Sequence, residues 1–302
     1  MLRKITALLL IVCLLMGTAA AEGVRRVYRV GEAGDFPEED ALFELFVCPL
    51  LGADCMVLRC GGETMLVDMG KANDYPLIRE VLTDLGVEKI DIAFNTHPHD
   101  DHLGSMTQIA ADYPVGQFMT AFPEDFTGPD AIQKSTVRTL HDLKIPVISV
   151  ENGTQFSLGG AQLTVVCRPR VFNASSMPNP MSAMLRVTFG ECALLLCADV
   201  TGSTQQLLAE TNEISADIFK FPHHGLNSVL REFLEAIDPE FAFFTHGSAN
   251  TLEAQAQLDK YGIPYDFATW GVIHLATNGE YWLVDQQLNE MGVRLTEKYR
   301  GQ

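Results

Sequence analysis

Short aliphatic and β-branched runs recur along the chain and predict strands at "LFELFV", "CMVLRC", "TMLVD", "IDIAFN", "PVGQFM", "PVISV", "QLTVVC", "AMLRVTF", "CALLLC", "DIFKF", "FAFFT" and "VIHLA". Between them, "YPLIREVLTDLG", "PDAIQKSTVRTLHDL", "GSTQQLLAE", "SVLREFLEAI" and "TLEAQAQLDKYG" carry apolar residues at helical spacing, with glycine near several ends. Strand-rich stretches with intervening helices predict an α/β chain with two sheets, or one large sheet, covered by helices. The tail from about Gln286 is polar and weakly periodic, and is expected to be peripheral.

The first 21 residues follow another pattern. Arg3 and Lys4 precede the apolar run Leu8 to Met16, and "TAAAEG" offers small residues for cleavage after Ala21. The run is shorter than the roughly 20 residues a spanning helix needs. Residues 1–21 therefore read as a secretory signal rather than a retained anchor, with a secreted or extracytoplasmic product. Val12 before Cys13 speaks against a lipoprotein signal. No later run is long enough to cross a bilayer, and no linker or repeat divides residues 22–302, so one domain is expected.

The formal charge of the whole chain is −18. Such a field opposes strong nucleic-acid binding, which depends on Lys and Arg neutralising phosphates, and suits a site that attracts cations. Six cysteines follow the signal (Cys48, Cys55, Cys60, Cys167, Cys192 and Cys197), mostly inside apolar runs. They read as buried thiols with at most one bridge. No CxxC pair points to a cysteine zinc site.

The densest chemistry lies in "FNTHPHDDHLGS", where His97, His99, Asp101 and His102 follow the apolar run Ile90 to Phe94. In a tight loop after a strand, His97 and His99 can converge on one cation while Asp101 and His102 serve a second. Imidazole and carboxylate ligands suit zinc, and also admit manganese or iron. Without a metal, four such side chains would be hard to satisfy in a buried loop.

These residues resemble the HxHxDH signature of the metallo-β-lactamase superfamily. "ETMLVDMG" resembles its first motif, where Asp68 would help orient the ligand loop, and "ALLLCADV" the motif of the bridging carboxylate, here Asp199. "ADIFKFPHHGLNS" is similar to the motif supplying the last histidine, at His223 or His224. Adjacent residues in an extended chain point opposite ways, and sequence does not choose between these two. The working assignment makes His224 the ligand and turns His223 toward substrate. The resemblance implies an αββα four-layer sandwich, with two mixed β-sheets flanked by helices, and a pair of divalent cations.

The third-motif histidine of true β-lactamases has no counterpart. Between His102 and His223 stands only His141, in a helical pattern where a solvated face is expected. In its place "NPMSAMLRVTFG" resembles the "NxxS" segment of the hydrolase domain attached to competence proteins for DNA uptake (the ComEC type), as does "HHG" after "ADxxK". On that resemblance Asn179 and Ser182 line the site. His246, ending "FAFF", is placed on the rim as a substrate contact, and His274 is read as a satisfied strand histidine.

The implied chemistry is metal-assisted hydrolysis of a phosphodiester or related phosphoester, with Asp101 or His223 relaying a proton to the leaving group. A small-molecule or envelope-polymer substrate agrees with the acidic charge. The alternatives are β-lactam hydrolysis and a non-catalytic binding protein that keeps the fold.

Overall fold

Residues along the strands are buried on both sides, which is why their sequences run apolar without alternation. In "CALLLC", Cys192, Leu194 and Leu196 join one core cluster, while Ala193, Leu195 and Cys197 join another on the opposite face. The computed structural model describes residues 25–37, 40–169 and 171–293. The segment read as a secretory signal lies outside them.

The strands in chain order are β1 Val27–Arg29, β2 Phe43–Val47, β3 Cys55–Cys60, β4 Glu63–Met69, β5 Ile90–Asn95, β6 Val115–Thr120, β7 Val147–Ser149, β8 Gln155–Leu158, β9 Ala161–Val166, β10 Met184–Phe189, β11 Cys192–Leu196, β12 Ile218–Lys220, β13 Phe241–Phe244, β14 Tyr265–Phe267, β15 Gly271–Thr277 and β16 Trp282–Leu288. The helices are α1 Tyr75–Asp84, α2 Asp100–Leu103, α3 Met106–Asp112, α4 Gln133–Asp142, α5 Ser203–Thr211, α6 Arg231–Ile237 and α7 Leu252–Tyr261.

Two mixed sheets result, ordered β1-β16-β15-β2-β3-β4-β5-β6-β7 and β14-β13-β12-β11-β10-β9-β8. Their facing sides share one core, with Leu58, Val67 and Phe94 from the first sheet and Leu163, Leu194 and Phe243 from the second. Helices α1, α3 and α4 cover the outer face of the first sheet through Ile78, Met106, Ile109 and Leu140. Helices α5, α6 and α7 cover the second through Leu208, Phe233 and Leu258. This is the expected αββα sandwich.

The expected strands and helices form with ends shifted by up to a few residues, and β4 and β15 run past the apolar runs that marked them. Strands β1, β8, β14 and β16 escape the pattern reading because they are short or lie toward sheet edges, where one face meets solvent. The tail is less peripheral than its polarity suggests: β16 runs on to Leu288, and the Gln286 amide donates to Phe267 O and Gly271 O. Among the described residues no helix is long and apolar enough to cross a membrane. All six cysteines are buried thiols.

Strands β4 and β5 are parallel, as are β11 and β12. Asp68, the histidine loop, Asp199 and the His223–His224 pair follow at their carboxyl ends, the edge at which open α/β sheets place ligands. The bond from Ala183 N to Thr96 O (3.0 Å) ties the two sheets beside that edge. Leu194, fully buried in the shared core, tests the packing. Leu194→Ala should lower unfolding free energy by about 2–5 kcal/mol in chemical denaturation, through lost apolar transfer and the cavity left behind.

Candidate metal centre

Asp68 organises the histidine loop. Its Oδ1 accepts from Thr96 N (2.8 Å) and Asn95 Nδ2 (3.1 Å), and its Oδ2 from Thr96 Oγ1 (2.7 Å) and His102 Nδ1 (2.7 Å). Asp68 itself sits at φ 58°, a conformation that costs energy for a residue with a Cβ and recurs at functional sites. Its buried hydrogen bonds hold it there. After His99 the chain turns at once into α2, so Asp101 and His102 occupy a helical turn rather than an open loop. Gly104 permits this turn to approach: a Cβ there would strike the backbone of Asp100, Lys71 and Ala72.

The second sheet supplies the rest. Asp199 follows β11 after Ala198, another left-handed residue at φ 49°. The Ala198 carbonyl accepts from Lys220 Nζ and His223 N, both at 3.0 Å. His223 (φ 51°) and His224 (φ 56°) are consecutive left-handed residues, so the chain here is a tight turn and not the extended segment expected. His224 is buried, whereas the His223 side chain is 27% exposed.

The donors converge. His97 Nε2 lies 3.1 Å from His99 Nδ1, and His102 Nε2 lies 3.3 Å from His224 Nε2. Asp101 Oδ2 is 3.3 Å from His224 Nε2. Asp199 stands between the groups, with Oδ1 3.4 Å from His102 Nε2 and Oδ2 3.5 Å from His224 Nε2 and 3.9 Å from His97 Nε2. Facing imidazole nitrogens repel unless a cation or proton separates them, and Asp199 Oδ1 is buried without a hydrogen bond. The donor set therefore fits divalent cations.

Behind these nitrogens lies a network in which Asp68 takes the orienting place expected of it, while the parts of Asp54, Thr245 and Lys220 were not foreseen in the sequence. His97 Nδ1 meets Thr96 Oγ1 (3.1 Å), His102 Nδ1 meets Asp68, and His224 Nδ1 meets Asp54 Oδ1 (3.0 Å) and Thr245 Oγ1 (2.9 Å). Each imidazole has its rear nitrogen engaged, which leaves Nε2 for the centre. Asp54 is fully buried, receives the Thr245 hydroxyl (2.6 Å), and is ion-paired with the equally buried Lys220. Lys220 Nζ is also 3.5 Å from Asp199 Oδ1.

Among the described residues two groups have metal-competent spacing, Asp54 with His102, Asp199 and His224, and His97 with Asp101 and His102. Asp54 belongs to the support, because its oxygens meet Lys220 and the rear nitrogens of His224 and His102. Asp101 faces the front nitrogens of His102 and His224.

Protonation follows burial and charge. Burial pushes His97 well below the usual imidazole range, and also lowers His99. For His102 burial is overcome by Asp199, Asp68 and Asp54, which raise it well above that range. For His224 burial is overcome by Asp199 and Asp54, which raise it to about 10. Burial opposes the ionised Asp199, but His224, His102 and Lys220 hold it well below the ordinary carboxylate range. Burial likewise opposes the ionised Asp101, which the His224 hydrogen bond and the His102 charge hold below that range.

The outlying candidates separate. Asn179 Nδ2 lies 3.2 Å from His223 Nε2 on the accessible side of the cluster. Ser182 is fully buried, with its hydroxyl toward Pro178 O (3.5 Å), and offers no surface to a substrate. His246 follows Thr245, which bonds His224, and its own hydrogen bonds go to Gly247 and Asn250 rather than to the cluster. Its Nδ1 receives Gly247 N–H (2.7 Å) and the Asn250 amide (3.1 Å), which puts its proton on Nε2, beside Gly52. His141 is exposed and paired with Glu124, and His274 bonds Glu44 and stacks on Phe46.

The description "Metallo-beta-lactamase superfamily" matches residues 48–246, and the chain belongs to that superfamily. It is similar to ComE operon protein 3 of Bacillus subtilis, 23% identical over 171 residues, covering 56% of this chain and 21% of that protein. It is also similar to zinc phosphodiesterase ELAC protein 1 of Bos taurus, 31% identical over 94 residues, covering 30% of this chain and 25% of that protein. The chain thus matches only about a fifth to a quarter of these relatives' length. Among solved structures, the metallo-beta-lactamase fold protein YhfI from Bacillus subtilis superposes with a TM-score of 0.53 at 14% identity, covering 78% of this chain and 100% of that one. CmlA, a diiron beta-hydroxylase from Streptomyces venezuelae, does so with a TM-score of 0.50 at 15% identity, covering 76% and 53%. At such identities these structures share the fold.

Two outcomes follow. In the metal-free protein the buried carboxylates favour the protonated forms of His102 and His224, so filling the centre should release protons, read by calorimetry in buffers of differing ionisation enthalpy. The sign is that of raised imidazole pKa values. The stability they give the metal-free fold is complete below about pH 6.5 and is lost as pH rises toward the folded values. Asp54→Asn should weaken metal affinity about 10–100-fold in competition with a chelator, since His224 loses its anionic rear partner.

Proposed function

We propose that the protein is a secreted metal-dependent hydrolase acting on a phosphodiester or related phosphoester. The observation that carries this reading is the convergence of His97, His99, Asp101, His102, Asp199 and His224, with the imidazoles of His97, His102 and His224 oriented from behind. The reading assigns His97, His99 and Asp199 to one cation and Asp101, His102, Asp199 and His224 to a second, most simply zinc. Divalent cations held by these residues would supply Lewis acidity and an activated water at neutral pH.

The chain's own residues supply the rest. Asp199 keeps both halves of the centre in register, and Lys220 balances the buried charge of Asp54 and Asp199. His223, the accessible histidine of its pair, is positioned by Asn179 to pass a proton to the leaving group, with Asp101 the other group able to do so. The phosphodiester preference draws on the similarity to a zinc phosphodiesterase and to a competence-operon protein. The acidic charge favours small or zwitterionic diesters, or an envelope polymer, over nucleic acid. The extracytoplasmic location rests on the pattern of residues 1–21.

The test is a panel of a phosphodiester, a phosphomonoester and a chromogenic cephalosporin, run on zinc- and manganese-loaded protein. Diester cleavage should dominate. His99→Ala and Asp199→Asn should each reduce it by about 100-fold or more, as expected when a group stabilising transition-state charge is lost. Full activity and full metal content in His99→Ala, or preferential turnover of the cephalosporin, contradicts the assignment.

A further inference from the structure

Arg168 stands where a ligand group would be received. It follows β9, whose Val166 pairs with Met184 of β10, so Cys167 and Arg168 run on beside Ala183 and Ser182. Ala183 in turn bonds Thr96, the neighbour of His97. With Ala121, Pro123, Ser149, Asn152 and Phe172, Arg168 lines a cavity of about 490 Å³. Asn95, Thr120 and Ser149 lie in register on adjacent strands, which puts the cavity two strand spacings, roughly 10 Å, along the edge from the strand that ends at the histidine loop.

Arg25, Arg26, Arg29 and Arg231 each hold a carboxylate, whereas Arg59 and Arg186 donate to backbone carbonyls. Arg168 has a buried Nε with no hydrogen-bond partner, and no carboxylate among the described residues pairs with it. The side chain as a whole is only half-buried on this lining, so the remainder of the guanidinium can offer an oxyanion in the cavity a charge-assisted hydrogen bond. Asn152 spends its Oδ1 on Cys167 N (2.9 Å), so its amide nitrogen keeps its donors for the same cavity. Phe172 packs on Phe122 and Phe126 (ring centroids 4.9 and 5.5 Å apart) and makes that wall firm. The exposed Glu151 on the lining disfavours a polyanion and leaves room for one compact anionic group.

We propose that this cavity is an anion subsite, in which Arg168 and Asn152 receive a second phosphate or carboxylate of the substrate. Its placement relative to the scissile bond rests on the hydrolase reading above, while its anion binding does not. Inorganic phosphate added to the full-length metal-loaded protein should shift the Asn152 side-chain amide and the Ser149 and Phe172 backbone amides saturably in nitrogen–proton NMR spectra. Arg168→Gln should abolish those shifts. Ser149→Asp, which adds a like charge and leaves Arg168 in place, should weaken them.

In kinetics, a diester bearing a carboxylate roughly 10 Å from phosphorus should show a KM about tenfold higher in Arg168→Gln, with methyl p-nitrophenyl phosphate unaffected. Unchanged phosphate shifts in Arg168→Gln, or equal loss on both diesters, overturns the subsite. Saturable, Arg168-dependent binding of phosphate together with no diester cleavage by the wild type sinks the hydrolase reading and leaves the subsite standing.

Discussion

Three imidazoles of the centre are held from behind before any cation arrives. Asp68 and Asp54 face the rear nitrogens of His102 and His224, and Thr96 faces that of His97. A ring held at Nδ1 can neither rotate nor exchange tautomers freely, so its Nε2 lone pair points where the fold aims it. The strained backbone at Asp68, Ala198, His223 and His224 belongs to the same constraint, because each left-handed residue turns a strand end so that a side chain enters the shared edge.

Such an arrangement concentrates negative charge in a dry interior. Asp54, Asp68 and Asp199 are all essentially without solvent contact, and unpaired carboxylates could not remain ionised there. Lys220 answers part of the problem from the inner face of β12, and the raised imidazoles of His102 and His224 answer the rest in the metal-free protein. Divalent cations would replace those imidazole protons, so the centre balances its charge in either state.

Much of this was legible in the sequence because its parts were local. Four candidate ligands within six positions after an apolar strand form a dense signal, and the ordered strand-end motifs added Asp68, Asp199 and the histidine pair. Asp54 left no comparable trace: a single acidic residue in "GADC" has no periodicity or neighbour to mark it, and its partners Lys220, His224 and Thr245 come from the other sheet. Lys220 entered only as the last residue of "ADxxK" in a resemblance; inside "DIFKF" its apolar neighbours marked a strand and nothing gave the lysine a partner. Ser182 was credited with a substrate contact that its burial denies. The turn at His223 and His224 was likewise opaque, since nothing in "PHHGL" announces two left-handed histidines.

The proposed centre would hold two cations at this edge, one among His97, His99 and Asp199 and the other among Asp101, His102, Asp199 and His224, with Asp54 and Lys220 outside the ligand shell. Anomalous diffraction at the zinc edge from crystals of the zinc-loaded protein tests it directly. Two peaks per chain at those positions are predicted. A single peak, or one coordinated by Asp54 in place of Asp101, contradicts it.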